Sequence, residues 1–60
     1  MYEISIIGAS DSRDTYEDIS NYHIAFDEEA KCRTLKLNFS DGDSILMYLG
    51  IDDRVEIQKV

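Results

Sequence analysis

The chain has 60 residues, thirteen Asp or Glu against six Lys or Arg, a formal net charge of −7 and one cysteine. A chain this short holds one domain with a small core, worth about 3–5 kcal/mol of folding free energy, and its single cysteine excludes an internal disulfide. The acidic balance excludes the clustered Lys and Arg that direct binding to nucleic acid or anionic membrane requires.

Residues 1–60 read as a single domain. The opening MYEISIIGAS has no basic segment and carries Glu3, unlike a secretory leader. The apolar run ILMYLGI is too short to span a membrane. Together these features predict a cytoplasmic protein.

In YEISII, Tyr2, Ile4 and Ile6 alternate with Glu3 and Ser5, the period of a strand with one wet face. DSRDTYED (residues 11–18) carries four carboxylates and one arginine. It reads as an acidic loop, with one helical turn over DTYEDIS capped by Asp14. Tyr22, Ile24 and Phe26 alternate through NYHIAFD, and Leu35, Leu37 and Phe39 through TLKLNFS. The polar DEEAKC between them is a hairpin loop. In SDGDS, Asp41 and Gly42 match a two-residue type I′ turn. That turn places Tyr48 opposite Leu35, Leu46 opposite Leu37 and Met47 opposite Lys36. Ile45, Met47 and Leu49 then emerge on the wet face as a candidate oligomer interface. Val55 and Ile57 alternate in the final RVEIQKV.

The expected fold is therefore mainly β, a small antiparallel sheet of four to five strands arranged as a meander or small barrel. The alternative is α+β. SDGDSILMYLGI is apolar on both strand faces, so a short helix over about 43–50, capped by Ser40 or Asp43 and ended at Gly50, also fits. YLGIDDRVEI resembles the second half of the swapped-hairpin DNA-binding fold of the AbrB and MazE family, which implies a helix ending at the LGI turn. The chain departs from that family in lacking the basic residues and the proline of its arm, so its DNA-binding role is not carried over.

No enzyme chemistry is expected. His23, the only histidine, falls on the polar face of its strand, and Cys32 between Lys31 and Arg33 is read as a small half-buried hydrophobe. Nothing in their spacing joins them with a carboxylate as nucleophile, base and orienter. Neither SDGDS nor DSRDTYED has the ligand run of a calcium loop. One cysteine and one histidine are too few for structural zinc, and GAS lacks the lysine of a phosphate loop. No cofactor and no metal are expected.

The acids carry the functional expectation. Strands running alternately up and down would gather Asp11, Asp14, Glu17, Asp18, Asp41 and Asp43 at one end, against Arg13 alone. Tyr16 among them is a candidate anchor. This predicts a non-enzymatic protein that binds a basic, possibly nucleic-acid-binding, protein partner, as a DNA-mimic inhibitor of phage or mobile-element type does. It does not itself touch nucleic acid or membrane. The alternative is a structural homo-oligomer, a homodimer for example, or a subunit of a larger assembly.

Overall fold

The computed structural model describes residues 1–60. It contains five strands and no helix: β1 (Tyr2–Ile7), β2 (Arg13–Asp27), β3 (Cys32–Phe39), β4 (Ser44–Leu49) and β5 (Arg54–Lys59). Every pairing is antiparallel, and the sheet order is β4-β3-β2-β1-β5. The mainly β expectation holds. The helix over 43–50, which the AbrB-like resemblance also implied, is replaced by β4, and the helical turn in DTYEDIS is replaced by β2.

β2 organises the sheet. Its 15 residues would extend roughly 46 Å if straight, at about 3.3 Å per residue, yet the longest dimension of the molecule is 30 Å. The strand bends at a corner made by two bulges. Tyr2 pairs with Ile19 but Ile4 pairs with Tyr16, so Glu3 alone faces Glu17 and Asp18. Ile19 pairs with Phe39 but Asn21 pairs with Asn38, leaving Ser20 as an extra residue on the other side. Asp18 sits at φ 59°, the left-handed conformation that Asp tolerates better than most residues. Such bulges bend a strand and sharpen its twist. The result is two short layers that share one strand: residues 13–19 pair with β1, residues 19–27 with β3, and Ile19 belongs to both ladders.

The core lies in the fold of this corner. Ile4, Ile19, Leu35, Leu37 and Leu49 are buried together, with Tyr2, Ile6, Tyr16, Tyr22, Phe39, Ile45, Met47 and Val55 packed around them. The Tyr2 and Tyr22 rings meet edge to face at 5.1 Å, tying β1 to the second half of β2. Tyr16 therefore faces inward and is not the exposed anchor expected from sequence. On the opposite face of β1, Ser5 and Ile7 are also buried. Ser5 Oγ shares a 2.9 Å hydrogen bond with Thr15 Oγ1, and the Arg13–Glu56 ion pair joins β2 to β5 across the intervening β1 at 2.9 Å.

The β3–β4 hairpin differs from expectation by one residue. Phe39 N–H donates to Asp43 C=O at 2.8 Å and Gly42 N–H to Phe39 C=O at 3.1 Å, with Gly42 at φ 98°. This is a three-residue loop, a type I turn followed by a left-handed glycine. Leu35 then pairs with Met47, Lys36 with Leu46 and Leu37 with Ile45. A shift of one residue turns every side chain to the other face. Ile45, Met47 and Leu49 point into the core and are not an exposed interface, while Leu46 and Tyr48 are 58% and 61% exposed.

β4 and β5 are the two edges of the sheet, yet only residues 50–53 join them. That connection is a tight turn: Asp53 N–H donates to Gly50 C=O at 3.1 Å, Gly50 N–H to Asp53 Oδ2 at 2.6 Å. A turn spans less than about 7 Å, whereas four strand spacings of a flat sheet come to roughly 19 Å. The sheet is therefore curled until its edges approach at that end, as a partly open barrel. The chain ends also meet, Val60 N–H donating to Met1 C=O at 2.9 Å.

Because Ile19 is fully buried and common to both layers, Ile19→Ala is expected to cost about 2–5 kcal/mol. In a domain of this size that leaves most of the chain unfolded in urea titration followed by circular dichroism. Ile4→Val, which leaves a smaller void, is expected to cost about 0.5–1.5 kcal/mol and still fold.

Candidate functional site

The strand paths divide the carboxylates expected at one pole. Asp11 and Asp14 lie where β2 begins, opposite the end of β1: Asp14 pairs with Ile6 and Arg13 with Ile7. Both ion pairs of the molecule are here, Arg13 with Glu56 at 2.9 Å and Arg54 with Asp11 at 4.0 Å. Asp14 and Asp18 stand four residues, roughly 13 Å, apart along β2, and Asp11 lies in the turn before the strand begins. Asp11 and Asp14 are therefore apart from Asp18, and Asp11 has its own cation. The 8–12 loop neighbours the 50–53 turn, not the β3–β4 hairpin, because the curled sheet brings those connections together.

Asp18, with Glu17 beside it, lies against the base of the hairpin that carries Asp41 and Asp43. Ser40 N–H donates to Asp18 C=O at 2.9 Å, fastening the β3–β4 hairpin to the corner of β2. The bulge adds a fifth carboxylate, Glu3, directly opposite Glu17 and Asp18 on β1. Sequence reasoning missed Glu3 because only the ladder register reveals what it faces. Neither ion pair reaches this corner. Like charges opposite one another on a sheet destabilise it, so the corner holds a repulsion that the far end of β2 relieves.

Several other acids serve turns. Asp27 Oδ1 accepts from Glu29 N–H at 2.9 Å and Ala30 N–H at 3.2 Å. Asp41 Oδ1 accepts from Asp43 N–H at 2.9 Å, and Asp53 closes the 50–53 turn. At Asp27 and Asp41 the side chain bonds the backbone just after it, whereas Asp53 reaches back to the Gly50 N–H three residues before it. Asp41 thus fixes the hairpin as well as charging it.

His23 is opposite Lys36 and Cys32 opposite Asp27, four ladder positions or about 13 Å apart, so the two do not touch. No group of three His, Cys, Asp or Glu side chains is placed to hold a metal ion, and no helix is long and apolar enough to cross a membrane. At the other end of the barrel from the acidic corner, Phe26, Leu49 and Ile51 line an open depression of about 420 Å³ beside Lys31, Cys32 and Arg33.

No protein family, no curated protein and no solved structure matches this chain.

Repulsion at the corner has a measurable consequence. Asp43→Asn is expected to raise stability by a few tenths of a kcal/mol at low ionic strength, and the gain should vanish near 1 M salt, where the Debye length is about 3 Å. Thermal melts at the two salt concentrations check this. Arg13→Gln, which removes an exposed ion pair, is expected to cost no more than about 1 kcal/mol in the same melts.

Proposed function

We propose that this is a non-enzymatic interaction protein that binds a basic surface on another macromolecule through the acidic corner, and so blocks or adapts that surface. Glu3, Glu17, Asp18, Asp41 and Asp43 are the binding residues. The observation that supports the reading is the Ser40–Asp18 backbone bond, which holds the hairpin acids against the bulge acids instead of letting them separate. The corner is preorganised, so little ordering free energy is lost on binding. A nucleic-acid-binding protein is the obvious class of partner, the carboxylates standing where DNA phosphates would. A DNA-mimic inhibitor of phage or mobile-element type, acting in the cytoplasm, fits this description. Association driven by such a patch is fast and falls steeply with salt.

The test is capture of partners from the source cell's lysate by the natural protein and by a variant carrying Glu3→Gln, Glu17→Gln, Asp18→Asn, Asp41→Asn and Asp43→Asn. Asn is chosen at 41 because its amide oxygen can still accept the turn bond, and at 18 because Asn tolerates the left-handed conformation. The expected result is a basic protein retained by the natural form alone and released by salt. Equal capture by the folded variant overturns the proposal.

A further inference from the structure

The inner face of β3 ends on a charge. Leu35 and Leu37 lie in the core, and Arg33, two residues before Leu35, falls on the same face by strand alternation. Its ladder partners are Phe26 on β2 and Leu49 on β4. The three side chains therefore form one row across the mouth of the barrel. Phe26 is 61% exposed although it stands on the core face, because β1 pairs with β2 no further than Ile19 and leaves the strand beyond it uncovered. Ile51 from the 50–53 turn and Lys31 from the β2–β3 loop complete the rim of the depression of about 420 Å³. That volume falls in the range of small-molecule sites, for which the mouth of a barrel is a common place.

The charge of this mouth is opposite to that of the molecule. Thirteen acids stand against six bases in the chain, yet two of the six, Lys31 and Arg33, line the depression and no carboxylate does. Neither belongs to an ion pair, since those use Arg13 and Arg54. Acids of the flanking turns are bound to backbone: Asp27 Oδ1 accepts from Glu29 and Ala30 N–H, and Asp53 Oδ2 from Gly50 N–H. Glu28, Glu29 and Asp52 are exposed on the same turns and outside the lining, so they weaken the pull on an anion at long range without meeting it. One bond, Nη2–H to Asp53 C=O at 2.9 Å, steadies the Arg33 guanidinium. Most of its five N–H donors remain for an acceptor in the depression, and a guanidinium matches a carboxylate bidentately.

We infer that the barrel mouth binds a small amphipathic carboxylate, its charged end on Arg33 and Lys31 and its apolar body on Phe26, Leu49 and Ile51. Charge selects the anion. A cation would meet two bases, and a neutral apolar molecule would strip water from the guanidinium and ammonium without giving them a partner. Size selects a small molecule: seven residues line the depression, against about 20–30 a side in a stable protein interface. The mouth is open, so affinity is low, with a Kd of about 1 mM for a ligand of about ten heavy atoms. The two sites lie at opposite ends of the barrel and take ligands of opposite charge, so this inference stands apart from the acidic-corner reading.

Titration of the full chain with octanoate, followed by amide chemical shifts in NMR, tests it. Octanamide keeps the chain length and removes the charge, and octylammonium reverses the charge. The amides of residues 26, 31–33 and 49–51 should shift and saturate with octanoate at a Kd of about 1 mM. Octanamide should bind about tenfold more weakly, the difference that one charge-assisted contact makes. Octylammonium controls for surface association, because general attraction to a chain of −7 favours it over octanoate. Phe26→Ala, at an exposed position, should weaken octanoate binding, and the double variant Lys31→Gln, Arg33→Gln should bring it down to that of octanamide. Lys31→Gln alone leaves the Arg33–Asp53 contact in place, so it tests the charge without touching the 50–53 turn, and should weaken binding about threefold. Shifts that are absent up to about 10 mM octanoate, ten times the expected Kd, or that fall outside the mouth, overturn the inference. So does octanamide or octylammonium binding as tightly as octanoate, or the double variant binding octanoate unchanged.

Discussion

The corner of β2 is the constraint from which the rest of the fold follows. One strand must supply two layers, and it can do so only if it turns sharply while keeping a partner on each side. The Asp18 bulge loosens the ladder toward β1 and the Ser20 bulge loosens the ladder toward β3, while Ile19 stays paired to both. The side chain at the vertex is apolar and fully buried, so the bend and the core form together. Ser20 Oγ donates to Asn38 C=O at 3.1 Å, recovering a bond where the ladder is interrupted. With two bulges and a left-handed Asp in a domain of a few kcal/mol, the corner is costly to build. Its compensation is that five strands enclose a core that a flat sheet would leave open.

The same bend distributes the charge. Acids on the first half of β2 are carried away from the corner toward Arg54 and the Arg13–Glu56 pair, whereas those at the bulge are pressed toward Glu3 and the β3–β4 hairpin. One end of the molecule is thus tied by ion pairs, and the corner keeps its carboxylates uncompensated.

Period-two alternation made β1, β3 and β5 legible, because the apolar residues of each fall mainly on one face, with Ile7 at the end of β1 buried on the other. The first half of β2 was hidden because it contributes just Tyr16 and Ile19 to the interior. Asp14, Glu17 and Asp18 around them read as a loop, and no sequence period announces a bulge. β4 was hidden differently. SILMYL is apolar on both faces, so its register depended wholly on the turn, and Asp41-Gly42 serves a two-residue and a three-residue loop equally well. The glycine was rightly placed in a left-handed turn, but the extra loop residue moved Ile45, Met47 and Leu49 from the wet face to the core. The acidic site was half legible. Its residues could be listed, but their grouping rested on strand paths that the corner rerouted.

The meeting of Met1 and Val60 in a backbone bond makes the molecule nearly a closed loop of chain. A two-residue turn added across that point would join β5 to β1 as an ordinary antiparallel hairpin. Cutting instead at the exposed tip of the β3–β4 hairpin would give a circularly permuted chain with every other strand pairing intact, since domains with adjacent ends tolerate such rearrangement. Order along the polypeptide is in this sense incidental to the barrel. What the architecture requires is the cyclic succession of strands and the single bent one among them.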